Sequence, residues 1–104
     1  MGGMGMAPSA DIGEQHAVFQ PCHGTAPDIA GRGLANPTAM FLSAAMMLDW
    51  LGETHGVADC SRAASLLTQA VEQAFADGSL VPTESGGAAG TVEITRRVRR
   101  QLEG

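Results

Sequence analysis

At 104 residues the chain has room for one small domain, and its 44% hydrophobic content supports a modest core thinned by 14 glycines and few aromatics. A net charge of −5 argues against general nucleic-acid binding. Two cysteines, Cys22 and Cys60, are too few and too far apart for a disulfide framework or a metal motif. No charged segment followed by an apolar run opens the chain, and the longest apolar stretch, 39–48, is too short to span a bilayer. A reducing, cytoplasmic setting without a membrane partner is the expectation.

Residues 1–15 are rich in Gly and Met and carry Pro8, which reads as a strand end or loop. The run His16-Ala17-Val18-Phe19-Gln20 reads as a short buried strand closed by Pro21. A Gly-rich loop follows. Residues 37–51 are predicted to be a helix, started by Asn36 and Pro37 and ended by Gly52. That helix has almost no polar face, which predicts burial on most sides. The chain offers too little other structure to cover it, so a larger assembly or self-association is expected. Its methionines are expected to fill core gaps.

Residues 53–59 read as a turn around Gly56. Residues 61–76 have amphipathic helical spacing, with Ala63, Leu66, Leu67, Ala70, Val71, Ala74 and Phe75 on one face. Asp59 is the expected cap and Gly78 the expected stop. Residues 79–82 suggest a short extended piece and 84–90 a flexible linker. Thr91 is the expected cap of a last helix carrying Ile94, Val98 and Leu102 inward. Arg96, Arg97, Arg99 and Arg100 read as the solvated face of that helix.

The chemistry concentrates between His23 and Pro37. Gly24, Gly31 and Gly33 permit positive φ and close approach to a ligand. Thr25 and Ala26 are small enough for their N–H groups to face a phosphate. The His23 ring can stack on a purine, and the Asp28 oxygens can accept from a ribose diol. Asn36 can cap the next helix, with Pro37 at its first position. On spacing alone, an ordinary Gly-rich loop with Asn36 as a simple cap fits equally well. Other candidates are weaker. The run Gly3-Met4-Gly5-Met6-Ala7-Pro8 is like a dinucleotide fingerprint but ends in Pro without a following helix. His16 and His55 stand alone, and Ser9 and Ser43 lack the Gly-x-Ser-x-Gly setting.

The His23–Pro37 run closely resembles the adenosine-binding loop of the β-decarboxylating dehydrogenases, the isocitrate and isopropylmalate dehydrogenase family. Residues 2–10 resemble the family's strand-to-loop segment, and 36–48 the helix after the loop; the second half is similar only loosely. The resemblance implies an α/β fold in which residues 1–104 form the C-terminal portion of the larger, cofactor-binding domain, dominated by helices with one or two short strands. Residues 21–37 would be the adenosine-binding loop. It assigns cofactor contacts to His23, Gly24, Thr25, Ala26, Asp28, Ile29 and Asn36, and implies a homodimer.

In that family a metal-bound 2-hydroxy acid passes hydride to a nicotinamide cofactor, and the resulting 2-oxo acid loses carbon dioxide. Substrates of the isopropylmalate, isocitrate, homoisocitrate, tartrate or malate type are implied. The metal, Mg or Mn, polarises the developing enolate. Such chemistry uses aspartates, arginines and a Lys/Tyr pair. All six Lys and Arg positions here are Arg, and Tyr is absent. No catalytic or metal-binding residue is therefore assigned within this chain. The alternative is a non-catalytic regulatory or partner-binding fragment; an RNA- or phosphate-binding role for the Arg-rich end is weaker.

Members that use NADP carry Lys-Tyr where this chain has Asp28-Ile29. A carboxylate there accepts from ribose hydroxyls, each charge-assisted bond contributing about 1.5–3 kcal/mol, and repels a 2′-phosphate. NAD is the implied cofactor. Asp28 acting only within its own turn is the competing reading. Two positions depart from the family. Gln20 stands where Glu is usual, keeping hydrogen bonds and dropping charge. Cys22 replaces a small apolar residue and is expected to be buried and inert.

Overall fold

The computed structural model describes residues 6–82 and 85–103. Positions 2–5 of the upstream resemblance, with the Gly3–Gly5 part of the fingerprint-like run, and position 84 of the expected linker lie outside them. The chain opens with an antiparallel hairpin of β1 (Pro8–Ile12) and β2 (Ala17–Pro21), in which Pro8 faces Pro21 and Ile12 faces Ala17. Both prolines sit at strand ends, where a missing ladder donor costs least. The Gly13 amide donates to the His16 carbonyl at 2.7 Å and closes the turn. The β2 strand is only half buried, contrary to expectation: Val18 is 56% exposed. The sheet has two strands and packs on α1 by one face, so alternate residues point away.

Three helices follow: α1 (Thr38–His55), α2 (Ala58–Phe75) and α3 (Thr91–Glu103). The α/β expectation, with helices dominating and short strands, holds. Helix α1 runs through Gly52 and stops at Gly56, which takes φ 68° and donates its N–H to the Gly52 carbonyl. Gly52 is thus a contact residue, not a terminator. A Cβ built there would lie 2.0 Å from Ser61 Oγ and 2.8 Å from the Ser61 amide nitrogen. Its bare backbone lets α1 and α2 meet, and 53–55 belong to α1 rather than to a turn.

Burial of α1 is one-sided. Ala39, Leu42, Ser43 and Ala45 are buried, whereas Met40 and Met47 are exposed. The hairpin and α2 cover only part of the circumference, so these methionines fill no core gap. Phe19 and Trp50 join β2 to α1 with ring centroids 6.0 Å apart, and His55 meets Trp50 edge-on at 5.8 Å.

Helix α2 begins one turn earlier than the spacing suggests. Val57 is its cap residue and makes no side-chain cap bond; Asp59 lies in the first turn, 3.2 Å from Arg62, where a carboxylate suits the helix dipole. Leu66, expected inside, is 54% exposed, while Ala64 is buried. Gly78, with φ 75°, donates to the Phe75 carbonyl and ends the helix as expected.

The described residues after α2, 77–82 and 85–90, form a hydrogen-bonded turn where a linker over 84–90 was expected. Leu80, Pro82 and Ala89 are buried, and the amides of Ser85 and Gly87 both donate to the Pro82 carbonyl at 3.0 Å. Ala89 returns a bond to the Val81 carbonyl. This turn delivers α3, whose Ile94 and Val98 join Leu42, Ala70, Val71 and Ala74 in the core, while Leu102 is 49% exposed.

The arginines of α3 are solvated, with exposed pairs Arg96–Glu93 and Arg99–Glu103. Pairs of this kind contribute little. Arg97 turns back toward Asp77 at 3.9 Å. The Ser79 amide and hydroxyl both donate to the Asp77 carboxylate, which with nearby Arg97 holds its pKa below the usual value of 3.8. A depressed carboxylate stabilises above its unfolded pKa, and that contribution is lost as pH falls through the lower folded value.

Among the described residues, no helix is long and apolar enough to cross a membrane. Ile12, Val18, Met40, Met47 and Leu66 are left exposed. Uncovered apolar surface marks missing partners. The isolated chain is expected to self-associate or melt broadly. Light scattering and calorimetry check this; a monodisperse monomer with one sharp transition is the contrary result.

Candidate functional site

The loop leaves β2 at Pro21 and is pinned at once. The Cys22 amide donates to the Ala7 carbonyl at 3.1 Å, and its thiol donates to the Pro8 carbonyl at 3.4 Å. Cys22 is free and exposed, not buried as expected, because it sits on the rim of an uncovered hairpin. His23 is exposed and its Nδ1 lies 3.0 Å from the Gly24 carbonyl. A carbonyl only accepts, so a hydrogen bond at this contact is donated by Nδ1.

A short 3-10 turn, Pro27–Ile29, carries Asp28 and Ile29. The Ile29 amide donates to Ala26 at 3.1 Å, and the Arg32 amide to Ile29 at 3.1 Å. Gly31 and Gly33 take φ of 79° and 69°, as their placement predicts. Gly24 does not use positive φ. A Cβ there would meet nothing within 4 Å. Its smallness answers to no neighbour in this chain and leaves open space beside His23.

Asn36 closes the loop. Its Oδ1 accepts from the Thr38 amide at 3.0 Å, capping α1, and its Nδ2 donates to Met6 Sδ at 3.1 Å. Pro37 already has helical backbone angles, and its carbonyl accepts from Phe41. At 9% exposure, Asn36 offers a ligand only its edge.

These residues surround a cleft of about 770 Å³, well sized for a small-molecule ligand. His23, Gly24, Thr25, Ala26, Ile29 and Asn36 all line it. Asp28 does not; it stands exposed between the lining residues Ala26 and Ile29, a place for contact with a ligand's outer edge. Ala30, Gly31, Gly33, Leu34, Ala35 and Thr91 complete the wall.

Thr91 is the residue that sequence reasoning missed here. Its hydroxyl donates to the Ala35 carbonyl rather than capping α3, and its amide donates to the Gly33 carbonyl at 2.9 Å. The sequence signal is the Gly90-Thr91 pair, a residue without a side chain followed by a hydroxyl at a helix start. Among the described residues, no group of three or more His, Cys, Asp or Glu side chains is placed to hold a metal ion. The arrangement offers a flat, mostly apolar slot with a ring, a hydroxyl and backbone polar groups at its edges. That is equipment for binding a flat ligand.

Comparison with known proteins gives this cleft a context. A family model described as isocitrate/isopropylmalate dehydrogenase matches residues 1–98. The isocitrate/homoisocitrate dehydrogenase of Thermus thermophilus is 48% identical over 103 residues, covering 99% of this chain and 28% of that protein. The 3-isopropylmalate dehydrogenase of Methanothermobacter thermautotrophicus is 42% identical, with 99% of this chain and 29% of that protein covered. The crystal structure of isocitrate dehydrogenase from Methylococcus capsulatus superimposes with a TM-score of 0.84 at 35% identity, covering 99% of this chain and 29% of that one. The chain thus spans less than a third of the length of these relatives.

Proposed function

The chain belongs to the isocitrate/isopropylmalate dehydrogenase family, and from that premise we propose that it is the cofactor-binding portion of an NAD-dependent dehydrogenase that oxidises and decarboxylates a 2-hydroxy acid. One observation carries the reading: a single cleft gathers His23, Gly24, Thr25, Ala26, Ile29 and Asn36. In this reading residues 1–104 are one partial domain and 21–37 are its adenosine-binding loop. The His23 ring stacks on adenine, Ile29 packs on its other side, and the exposed Asp28 carboxylate accepts from the ribose hydroxyls. Thr25 and Ala26 present backbone N–H groups toward the pyrophosphate. NAD supplies the hydride acceptor.

The relatives, an isocitrate/homoisocitrate and a 3-isopropylmalate dehydrogenase, support a substrate of the isocitrate, homoisocitrate or 3-isopropylmalate type. Mg or Mn and the groups that bind and deprotonate the substrate belong, in this reading, to parts of the enzyme other than these residues. A cytoplasmic homodimer is part of the same proposal.

Calorimetric titration of the full-length polypeptide carrying these residues tests it. NAD is expected to bind, and NADP at least tenfold more weakly; no binding of either, or preference for NADP, overturns it. The 104-residue chain alone, with neither Lys nor Tyr, is expected to produce no NADH from isocitrate or 3-isopropylmalate with Mg. Sustained absorbance growth at 340 nm, the standard NADH band, would contradict that.

A further inference from the structure

One stretch of the cleft wall, 33–36, belongs to no helix or strand. After the Arg32 amide bonds to Ile29, the loop runs through Gly33, Leu34 and Ala35 to Asn36 as irregular backbone. The carbonyls of Gly33 and Ala35 are held by the same distant residue, Thr91, through its amide and its hydroxyl. The two partners of the hydroxyl bond are 56 positions apart.

Gly90 makes this approach possible. A Cβ there would lie 2.1 Å from the Gly33 carbonyl oxygen and 3.8 Å from the Leu34 Cα. Behind the pair stands a fixed support. The Ile94 amide donates to the Gly90 carbonyl at 3.0 Å, and Ile94 and Val98 are buried in the core. The loop therefore hangs from the first turn of a helix that the core immobilises.

We infer that Gly90 and Thr91 form a clasp that sets the cleft wall, and that Thr91 is a positioning residue for the adenosine half of the cofactor. This rests on the nucleotide reading above. Both Thr91 donors are spent on the loop, so Thr91 acts on the ligand mainly through the wall it holds. With the clasp intact the slot is formed before the ligand arrives. With it loosened, part of the binding free energy goes to ordering 33–35, and apparent affinity falls by the fraction of molecules with a formed wall.

Thr91→Val keeps the shape and the amide bond and removes the hydroxyl donor. In the full-length polypeptide, ADP-ribose, which is NAD without its nicotinamide ring and so keeps the whole adenosine half, is expected to bind about tenfold more weakly to this variant, the scale of one lost hydrogen bond. Nicotinamide mononucleotide affinity is expected to change less than twofold, since the nucleotide reading assigns this loop to the adenosine end of the cofactor. Thr91→Ser restores the donor and should recover ADP-ribose affinity. Gly90→Ala pushes the loop off α3 and should weaken ADP-ribose at least as much as Thr91→Val. Hydrogen exchange without ligand gives a second readout: the amides of 29–35 should exchange faster in Thr91→Val, while those of Ile94 and Val98 keep their protection.

Wild-type affinity for ADP-ribose in Thr91→Val, or failure of Thr91→Ser to recover it, overturns the clasp. So does equal weakening of ADP-ribose and nicotinamide mononucleotide, which marks a general loss of structure. A wild-type protein that binds no ADP-ribose overturns the nucleotide reading itself, and the clasp's role in binding with it; that outcome is read before any variant is made.

Discussion

Gly52→Val should force α1 and α2 apart and lower the thermal midpoint by several degrees. The geometry decides the sign. Any side chain at position 52 begins 2.0 Å from Ser61 Oγ and 2.8 Å from the Ser61 nitrogen. The hydroxyl can rotate away; the nitrogen is backbone in the first turn of α2 and can move only with that helix. Gly to Ala inside an exposed helix gains roughly 1 kcal/mol in propensity. Overpacking a close contact costs about 1–3 kcal/mol, more when backbone must shift, so even alanine should be net destabilising here. Valine adds methyl groups to the same clash. Each kcal/mol lost lowers the midpoint by about 2–8 °C, depending on domain size. Pairing Gly52→Ala with Ser61→Gly relieves the hydroxyl contact and not the amide contact, so rescue should be partial. Stabilisation by Gly52→Ala, as at an ordinary solvent-facing helix glycine, would show that the helices are not in backbone contact at this point.

Gly52 also marks where sequence reasoning stops. A glycine near the end of an apolar run reads as a terminator, because local rules register the backbone angles a residue permits. The terminator is Gly56, with φ 68°, and Gly52 is required by a helix that crosses nine positions later. The same limit explains Gly90, which is required by Gly33, and Leu80 and Ala89, which are buried with the distant Leu42 and Val71. Thr91 is the sharpest case. Its hydroxyl could satisfy either its own helix or the Ala35 carbonyl, and only the fold brings the carbonyl within reach.

What was legible is what is locally determined. Gly31 and Gly33 take positive φ, the Asn36 side chain caps α1, and Gly78 ends α2. The inward spacing of Val71, Ala74, Ile94 and Val98 follows from helical period alone. The exposure of Met40, Met47 and Val18 was not read from those residues, because period shows which face is apolar and not what is present to cover it. The grouping of the loop candidates other than Asp28 around one slot comes from the fold, since spacing alone allows a plain turn.

On the proposed NAD-dependent reading, exchanging Asp28-Ile29 for Lys-Tyr should reverse the cofactor preference of the full-length enzyme. Asp28 is exposed beside the cleft and Ile29 lines it, so the substitutions act differently. Asp28→Lys removes the acceptor for the ribose hydroxyls and supplies a cation for a 2′-phosphate. Ile29→Tyr keeps an apolar body in the wall and adds a hydroxyl at its tip. Loss of the ribose bonds should lower kcat/KM with NAD by about tenfold or more, since about 1.4 kcal/mol is a factor of ten. NADP should improve in the opposite sense. Because the Asp28 carboxylate is exposed, its repulsion of a 2′-phosphate is screened by salt. Raising ionic strength should therefore narrow the wild-type preference without abolishing it; the part that survives reflects the ribose hydrogen bonds. His23→Ala should weaken both cofactors alike, because a ring stacked on adenine does not sense the 2′ substituent. Steady-state kinetics with both cofactors, at low and high salt, separates these effects. An unchanged NAD to NADP ratio in the double variant would assign Asp28 to its own turn and place the discrimination elsewhere in the enzyme.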